Sequence, residues 1–406
     1  MEKIKLGILR EGKVPPDFRV PLTPDQCALV GEKFPNVEVI VQTSPIRCFS
    51  DDLYASKGLK IQEDMSDCDI LIGVKEVKIH DLIPNKKFMF FSHTIKKQPY
   101  NRDLLRAVLE KKIQLIDYEV LKNRIGKRLI GFGRYAGIVG CYNGFRAFGL
   151  KHKTFELKAA NQCHDRVEME SELKKVILPA DTKIILTGFG RVGYGAREIM
   201  DLLPIIEVSP EEYLTQSFSE PVFTHLEIDD YFARISDDGF DKKEFYTEPE
   251  KYKSIFPKYA AISDMYVSCH FWSNKSPFII TREDFKHNSK LKVVADVSCD
   301  IDGPIACTLR PSTIANPFFG YDPITESEVD YTQENAVMVM SVDNLPCELP
   351  KDASEDFGNE LLTHIFPAMF GEDPDNVIGR GSETNLNGEL TENFKYLEGY
   401  VNGVEV

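Results

Sequence analysis

Residues 183–200, KIILTGFGRVGYGAREIM, place Gly188-x-Gly190-x-x-Gly193 directly after an apolar strand pattern and directly before a helical one. That context reads as the opening of a dinucleotide-binding βαβ unit. Gly188 permits the tight turn, Gly190 lets backbone approach a pyrophosphate, and Gly193 allows close packing of helix on strand. The helix start, at Arg191 and Val192, would offer backbone N–H groups and a partial positive charge to the phosphates.

Which dinucleotide is meant depends on the next strand, whose end carries an acidic residue when the ribose 2′-hydroxyl of NAD is held. That strand reads as IIEV (205–208), with Glu207 inside it and Val208 at its end. No arginine follows to clamp a 2′-phosphate. A missing carboxylate at Val208 removes repulsion of NADP, so the expectation leans to NADP, with NAD left open.

Short apolar runs also alternate with helical patterns before this motif. IKLGIL (4–9), VEVIVQ (37–42), DILIGV (69–74), KFMFFS (87–92) and IQLIDY (113–118) read as buried strands. Helices are expected between them, as in TPDQCALVGEKF (23–34) and NRDLLRAVLEKK (101–112). Repetition of strand and helix predicts a parallel doubly wound sheet. The glycine-rich stretch 131–150 would form a closely packed helix connecting two domains. After the glycine motif, MYVSC (265–269) and VVADVSCD (293–300) continue a second α/β series. The acidic, aromatic stretch 209–262 reads as an excursion from it.

Composition narrows the class. A formal net charge of −15 disfavours nucleic acid or an anionic membrane as partner. Nine cysteines without a C-x-x-C pair fit neither a disulfide framework nor a zinc cassette, so no metal site is expected. The N-terminus turns polar early, and no apolar run approaches the ~18 residues of a membrane helix. A cytoplasmic protein acting on small molecules is the expectation, as monomer or homo-oligomer.

Four features of the first series invite a chemical reading. Arg19, in DFRVPLTP, could grip a substrate carboxylate. Lys75-Glu76, His93 and Glu119 follow successive strands, at the carboxyl-terminal edge where doubly wound sheets place ligands. Ionisable groups gathered at one sheet edge are hard to account for as packing.

The motifs FRVPLTP, IGVKE, FFSHTIKKQ, LIDYE, TGFGRVGYGA, DVSCD and SVDNLPCELP together resemble the L-lysine-forming saccharopine dehydrogenases. The nearest likeness is to the lysine–ketoglutarate reductase half of the bifunctional lysine-degrading enzyme, within the alanine dehydrogenase/transhydrogenase-alpha superfamily. The resemblance implies two Rossmann-like doubly wound domains with a cleft between them. The first would be discontinuous, 1–140 plus 346–406, and would clasp a nucleotide domain at 141–345. It also implies that Lys75 and His93 are the acid–base pair, that Arg19, Lys127 and Arg128 bind substrate carboxylates, and that Glu76 and Glu119 tune the charge. Asp300, Asn344 and Leu345 would lie beside the nicotinamide. The implied reaction interconverts lysine, 2-oxoglutarate and NAD(P)H with saccharopine. A related amino-acid or opine-type dehydrogenase is the alternative, and a nucleotide-sensing protein without turnover a further one. Departures are Val208, the lack of a second catalytic domain, and Arg310, which could read another carboxylate.

Overall fold

The computed structural model describes residues 3–404, which form two compact units. One takes the chain as far as Phe132 and again from Pro350; the other is Gly133–Leu349.

The first unit holds strands β1 (Ile4–Ile8), β2 (Val37–Gln42), β3 (Lys60–Gln62), β4 (Ile70–Ile72), β5 (Lys87–Phe90) and β6 (Gln114–Asp117). All run parallel in the order β3-β2-β1-β4-β5-β6. The middle strands are buried on both faces, which is why they read as unbroken apolar runs rather than alternating ones. The helix Pro24–Lys33 begins where Thr23 and Gln26 cap each other's backbone N–H, at 3.3 and 3.0 Å.

In the second unit the strands are β7 (Lys183–Thr187), β8 (Ile206–Glu207), β9 (Val222–Leu226), the hairpin β10 (Phe232–Arg234) and β11 (Tyr252–Ser254), β12 (Met265–Ser268), β13 (Val293–Asp296), β14 (Phe318–Asp322), β15 (Ser327–Val329) and β16 (Val337–Met340). The main sheet runs β15-β14-β16-β13-β12-β7-β9-β8, parallel except for the edge pair β14 and β15. In sequence, IIEV (205–208) reads as the strand that follows the glycine helix, and 209–262 as an excursion. That run shrinks to the two-residue edge strand β8, and β9, inside the supposed excursion, is the neighbour of β7. Buried Thr224 and His225 interrupt the apolar pattern of β9 and hid it. The rest of 209–262 packs Tyr231, Phe232, Phe245, Tyr252 and Phe256 into the second core.

The helix Gly133–His152 lies wholly in the second unit and runs through position 140, where sequence alone set a boundary. Its glycines let it sit against the helix Arg191–Met200. A Cβ on Gly137 would stand 1.8 Å from the Val192 carbonyl oxygen. Among the described residues no helix is long and apolar enough to cross a membrane, and no His/Cys/Asp/Glu cluster could hold a metal. The nine cysteines are free thiols.

Candidate active site

At the carboxyl-terminal edge of the first sheet, successive strands deliver ionisable groups to one neighbourhood. Beyond β1, the buried Glu11 carboxylate accepts from the backbone N–H of Val74 at 2.6 Å and of Lys75 at 2.9 Å. Beyond β4, this fixes the backbone at Val74 and Lys75, just before Glu76. Beyond β5, His93 Nδ1 hydrogen-bonds Glu76 Oε1. The backbone of His93 is left-handed, with φ of 56°, and its ring stacks on Phe91 at 6.4 Å between centroids.

Charge is unevenly compensated here. Burial, then the charges of Arg19 and Lys13, bring the Lys75 ammonium down to about 8. Burial likewise pushes the Glu11 carboxyl up to about 7. For Glu76 burial pushes upward, but the hydrogen bond and charge of His93 outweigh it and hold the carboxyl below its ordinary value. Arg19 is buried beside Asp17, which it grips with two N–H groups at 3.0 and 2.6 Å, and its guanidinium lies 4.2 Å over the Phe132 ring. Arg128 lies 5.4 Å over the ring of Phe91, the same aromatic that His93 stacks on. Glu119 is mostly buried after β6, and Lys96 approaches its Oε1 at 3.5 Å. Lys127 stands apart, exposed at the turn of a small hairpin closed by Lys122 and Arg128. A cleft of about 620 Å³ opens beside this group, lined by Glu11, Lys75 and Glu76 with Arg10, Gln42 and Glu63.

The second unit gathers a separate set at the carboxyl-terminal edge of its own sheet. Gly188 has φ of +98°, and a Cβ there would fall 2.3 Å from the Cys269 carbonyl oxygen. A Cβ on Gly193 would fall 1.7 Å from the Gly188 carbonyl oxygen, whereas one on Gly190 would meet nothing within 4 Å. Gly188 and Gly193 thus have no room for a side chain, and Gly190 faces open space. A cleft of about 470 Å³ lies there, lined by Gly188, Gly190, Arg191 and Val192 and, across it, by Glu227 and Lys242. The cradle fits a dinucleotide, whose phosphates would meet the helix start at Arg191.

Val208 is displaced from the place sequence gave it. The strand beside β7 is β9, so the strand-end position falls at Glu227, and Val208 follows the outer strand β8. Asp300 lies in the loop after β13, where burial and the charge of Asp296 raise its carboxyl to about 6. Asn344 and Leu345 follow β16; Asn344 Nδ2 donates to Cys347 Sγ at 3.0 Å, and Leu345 is buried. Arg310 is held in a two-pronged pair with Glu328, both contacts 2.7 Å, so the carboxylate it reads is the protein's own.

Residues 7–139 match the family described as alanine dehydrogenase/PNT, N-terminal domain. That match holds for residues 7–139, which carry the alanine dehydrogenase/PNT N-terminal domain. Solved structures agree with that assignment at the level of fold. L-alanine dehydrogenase aligns with a TM-score of 0.66 at 15% identity over 99% of this chain and 100% of its own. The transhydrogenase from Sinorhizobium meliloti aligns with 0.60 at 13% identity over 95% and 98%. Among curated proteins, alpha-aminoadipic semialdehyde synthase of Arabidopsis thaliana is 30% identical over 400 residues, 88% of this chain and 37% of that protein. The mitochondrial synthase of Mus musculus is 28% identical over 94% of this chain and 46% of its own. Saccharopine dehydrogenase [NAD(+), L-lysine-forming] of Candida glabrata is 28% identical over 88% of this chain and 90% of its own. The chain thus spans less than half the length of the synthases it matches.

Glu11 and Asp17 in the first unit and Glu227 in the second are site residues that sequence reasoning passed over. Glu11 left a weak signal, an acidic residue just past a buried strand. Asp17 left none, since its partner Arg19 is two residues away and the pairing depends on a local turn.

Proposed function

We propose that this chain is a nicotinamide-dependent oxidoreductase that joins L-lysine to 2-oxoglutarate reductively, giving saccharopine, and that also runs the reverse. The reading rests on one observation above others. A half-buried lysine with a lowered pKa and a histidine oriented by a carboxylate stand at adjacent strand ends of one sheet.

The overall balance is lysine, 2-oxoglutarate, reduced dinucleotide and a proton giving saccharopine, oxidised dinucleotide and water. Lys75, in its neutral form, takes the proton of the lysine ε-ammonium and so frees the amine to attack the keto carbon. His93, with Nδ1 turned to Glu76, presents Nε2 to the carbinol oxygen and protonates it as it leaves as water. Arg19, its plane fixed by Asp17, and Arg128, supported by Phe91, supply positive charge for substrate carboxylates. A dihydronicotinamide dinucleotide held at the glycine turn (188–193) would supply the hydride for the imine carbon. Lys127 has no part in this assignment.

Because Lys75 must be neutral, kcat/KM in the reductive direction is expected to rise with pH through about 8. A Lys75→Met variant should lose that limb, and a pH–rate profile of both proteins checks this.

For the dinucleotide, Glu227 supports NADH. A carboxylate at the end of the strand beside β7 can accept from the ribose 2′-hydroxyl and repels a 2′-phosphate. Lys242 acts in the opposite sense, but it is exposed on a helix outside the sheet. Glu227→Ala should weaken NADH binding about 10- to 100-fold, the worth of a hydrogen bond to a charged group, and leave NADPH binding equal or tighter. Fluorescence titration with each dinucleotide measures both.

The substrate assignment is tested by following cofactor oxidation with 2-oxoglutarate and a panel of amines. Lysine-dependent oxidation is expected. Activity confined to ammonia with pyruvate would replace the reading by an alanine-type dehydrogenase.

A further inference from the structure

Behind His93 lie two carboxyl groups with no solvent access, Asp117 at the end of β6 and Glu383 from the returning C-terminal segment. That segment is laid along β6. Glu383 N–H donates to the Leu115 carbonyl at 2.8 Å, Asp117 N–H donates to the Gly381 carbonyl at 3.0 Å, and Leu115 N–H donates to Thr384 Oγ1 at 3.0 Å. The pair reaches back to the residues on either side of the histidine. Ser92 donates to Asp117 Oδ2 through its backbone N–H at 3.0 Å and through its hydroxyl. Thr94 Oγ1 lies 2.5 Å from Glu383 Oε2, and Ser92 Oγ lies 3.3 Å from Glu383 Oε1 and 2.6 Å from Thr94 Oγ1.

Counting protons shows what this knot requires. Two hydroxyl hydrogens serve the contacts Ser92 to Asp117 and Thr94 to Glu383. The contact between Ser92 Oγ and Thr94 Oγ1 is then left without a hydrogen, unless a carboxyl carries one and Glu383 donates it to Thr94, which frees the Thr94 hydroxyl for Ser92. Asp117 already accepts three donors, the third being Glu119 N–H at 2.6 Å, and is the better anion. Glu383 therefore holds the proton. Burial pushes both carboxyls upward, and the charge of Asp117 adds to this at Glu383. Two like charges in one dry pocket would otherwise repel each other.

We propose that Asp117 and a protonated Glu383 act as one carboxyl pair that positions His93, clasping Ser92 and Thr94 and holding the residue between them in its left-handed conformation. A non-glycine residue with positive φ persists only where its surroundings over-determine it, and here both flanking residues are tied to the same pair. The direction in which Nε2 points thus depends on a glutamate that joins the unit from the other end of the chain. The inference rests on His93 acting in the reaction proposed above.

The test uses full-length Glu383→Gln and Glu383→Ala. A carboxamide can donate to Thr94 Oγ1 as the protonated acid does, so Glu383→Gln should keep kcat within about threefold of the parent. Glu383→Ala should lower kcat about 10²-fold, the cost of a misplaced group, with KM for the dinucleotide unchanged. Nitrogen NMR of labelled histidine gives a readout apart from turnover. The Nδ1 signal set by the bond to Glu76 should persist in Glu383→Gln and shift in Glu383→Ala, with thermal unfolding confirming that both are folded. Parent-like kcat and histidine spectrum in Glu383→Ala would overturn the proposal. So would a Glu383→Gln variant as impaired as Glu383→Ala, since that would require an ionised Glu383. Should Glu383→Ala fail to fold, the Gln variant decides alone. Failure of the reaction reading is seen separately, as full turnover in His93→Gln.

Discussion

Replacing His93 by Gln is expected to lower kcat about 10²–10⁴-fold, the usual contribution of a positioned general acid, while dinucleotide affinity stays unchanged. Glutamine approximates the ring's reach and can still hydrogen-bond Glu76, so the loss isolates proton transfer from packing. His93 belongs to the first unit and the glycine turn to the second, which is why binding of the dinucleotide should be spared. Steady-state kinetics paired with fluorescence titration measures the two quantities. Turnover near the parent's would remove His93 from the mechanism. Glu76→Gln should show a smaller loss in kcat, because it leaves a hydrogen-bonding partner at Nδ1 but removes the charge that stabilises a protonated ring.

The second large effect is expected at the glycine turn, where two substitutions should separate folding from binding. Gly193→Ala would put a methyl 1.7 Å from the Gly188 carbonyl oxygen, which His225 Nε2 also engages at 2.7 Å. Relief requires moving backbone, so a destabilisation of about 1–3 kcal/mol is expected, along with loss of dinucleotide binding. Gly190→Ala meets nothing within 4 Å and should fold with parent-like stability. Its methyl would nevertheless occupy the path of the pyrophosphate, so affinity should fall at least tenfold. Thermal unfolding and dinucleotide titration of both variants check this. Parent-like affinity in Gly190→Ala would mean that the phosphates bind elsewhere.

Much of the architecture was readable from residues alone, because parallel sheets buried on both faces leave unbroken apolar runs. VEVIVQ became a strand with the same limits, and the runs at Ile70, Lys87 and Gln114 became three neighbouring strands. Reading failed where spatial order departs from chain order. IIEV follows the glycine helix in sequence, yet Val222–Leu226 is the strand that pairs with Lys183–Thr187. Chain order thus put the strand-end position at Val208, whereas the pairing puts it at Glu227. The groups around Lys75 were legible as titratable residues at strand ends. Their supports were not, since Glu11 lies 63 residues from the amide it holds and Glu383 lies 289 from Thr94. Long-range pairings of single polar residues leave no periodic trace in a sequence.

If the proposed reaction holds, the protein makes a carbon–nitrogen bond between lysine and a keto acid. The most direct measurement supplies lysine labelled at its ε-nitrogen, 2-oxoglutarate and NADH, and identifies the product by mass spectrometry. The prediction is saccharopine with the label in its secondary amine, formed in step with NADH oxidation. Unchanged lysine beside oxidised NADH, or glutamate carrying the label, would contradict it.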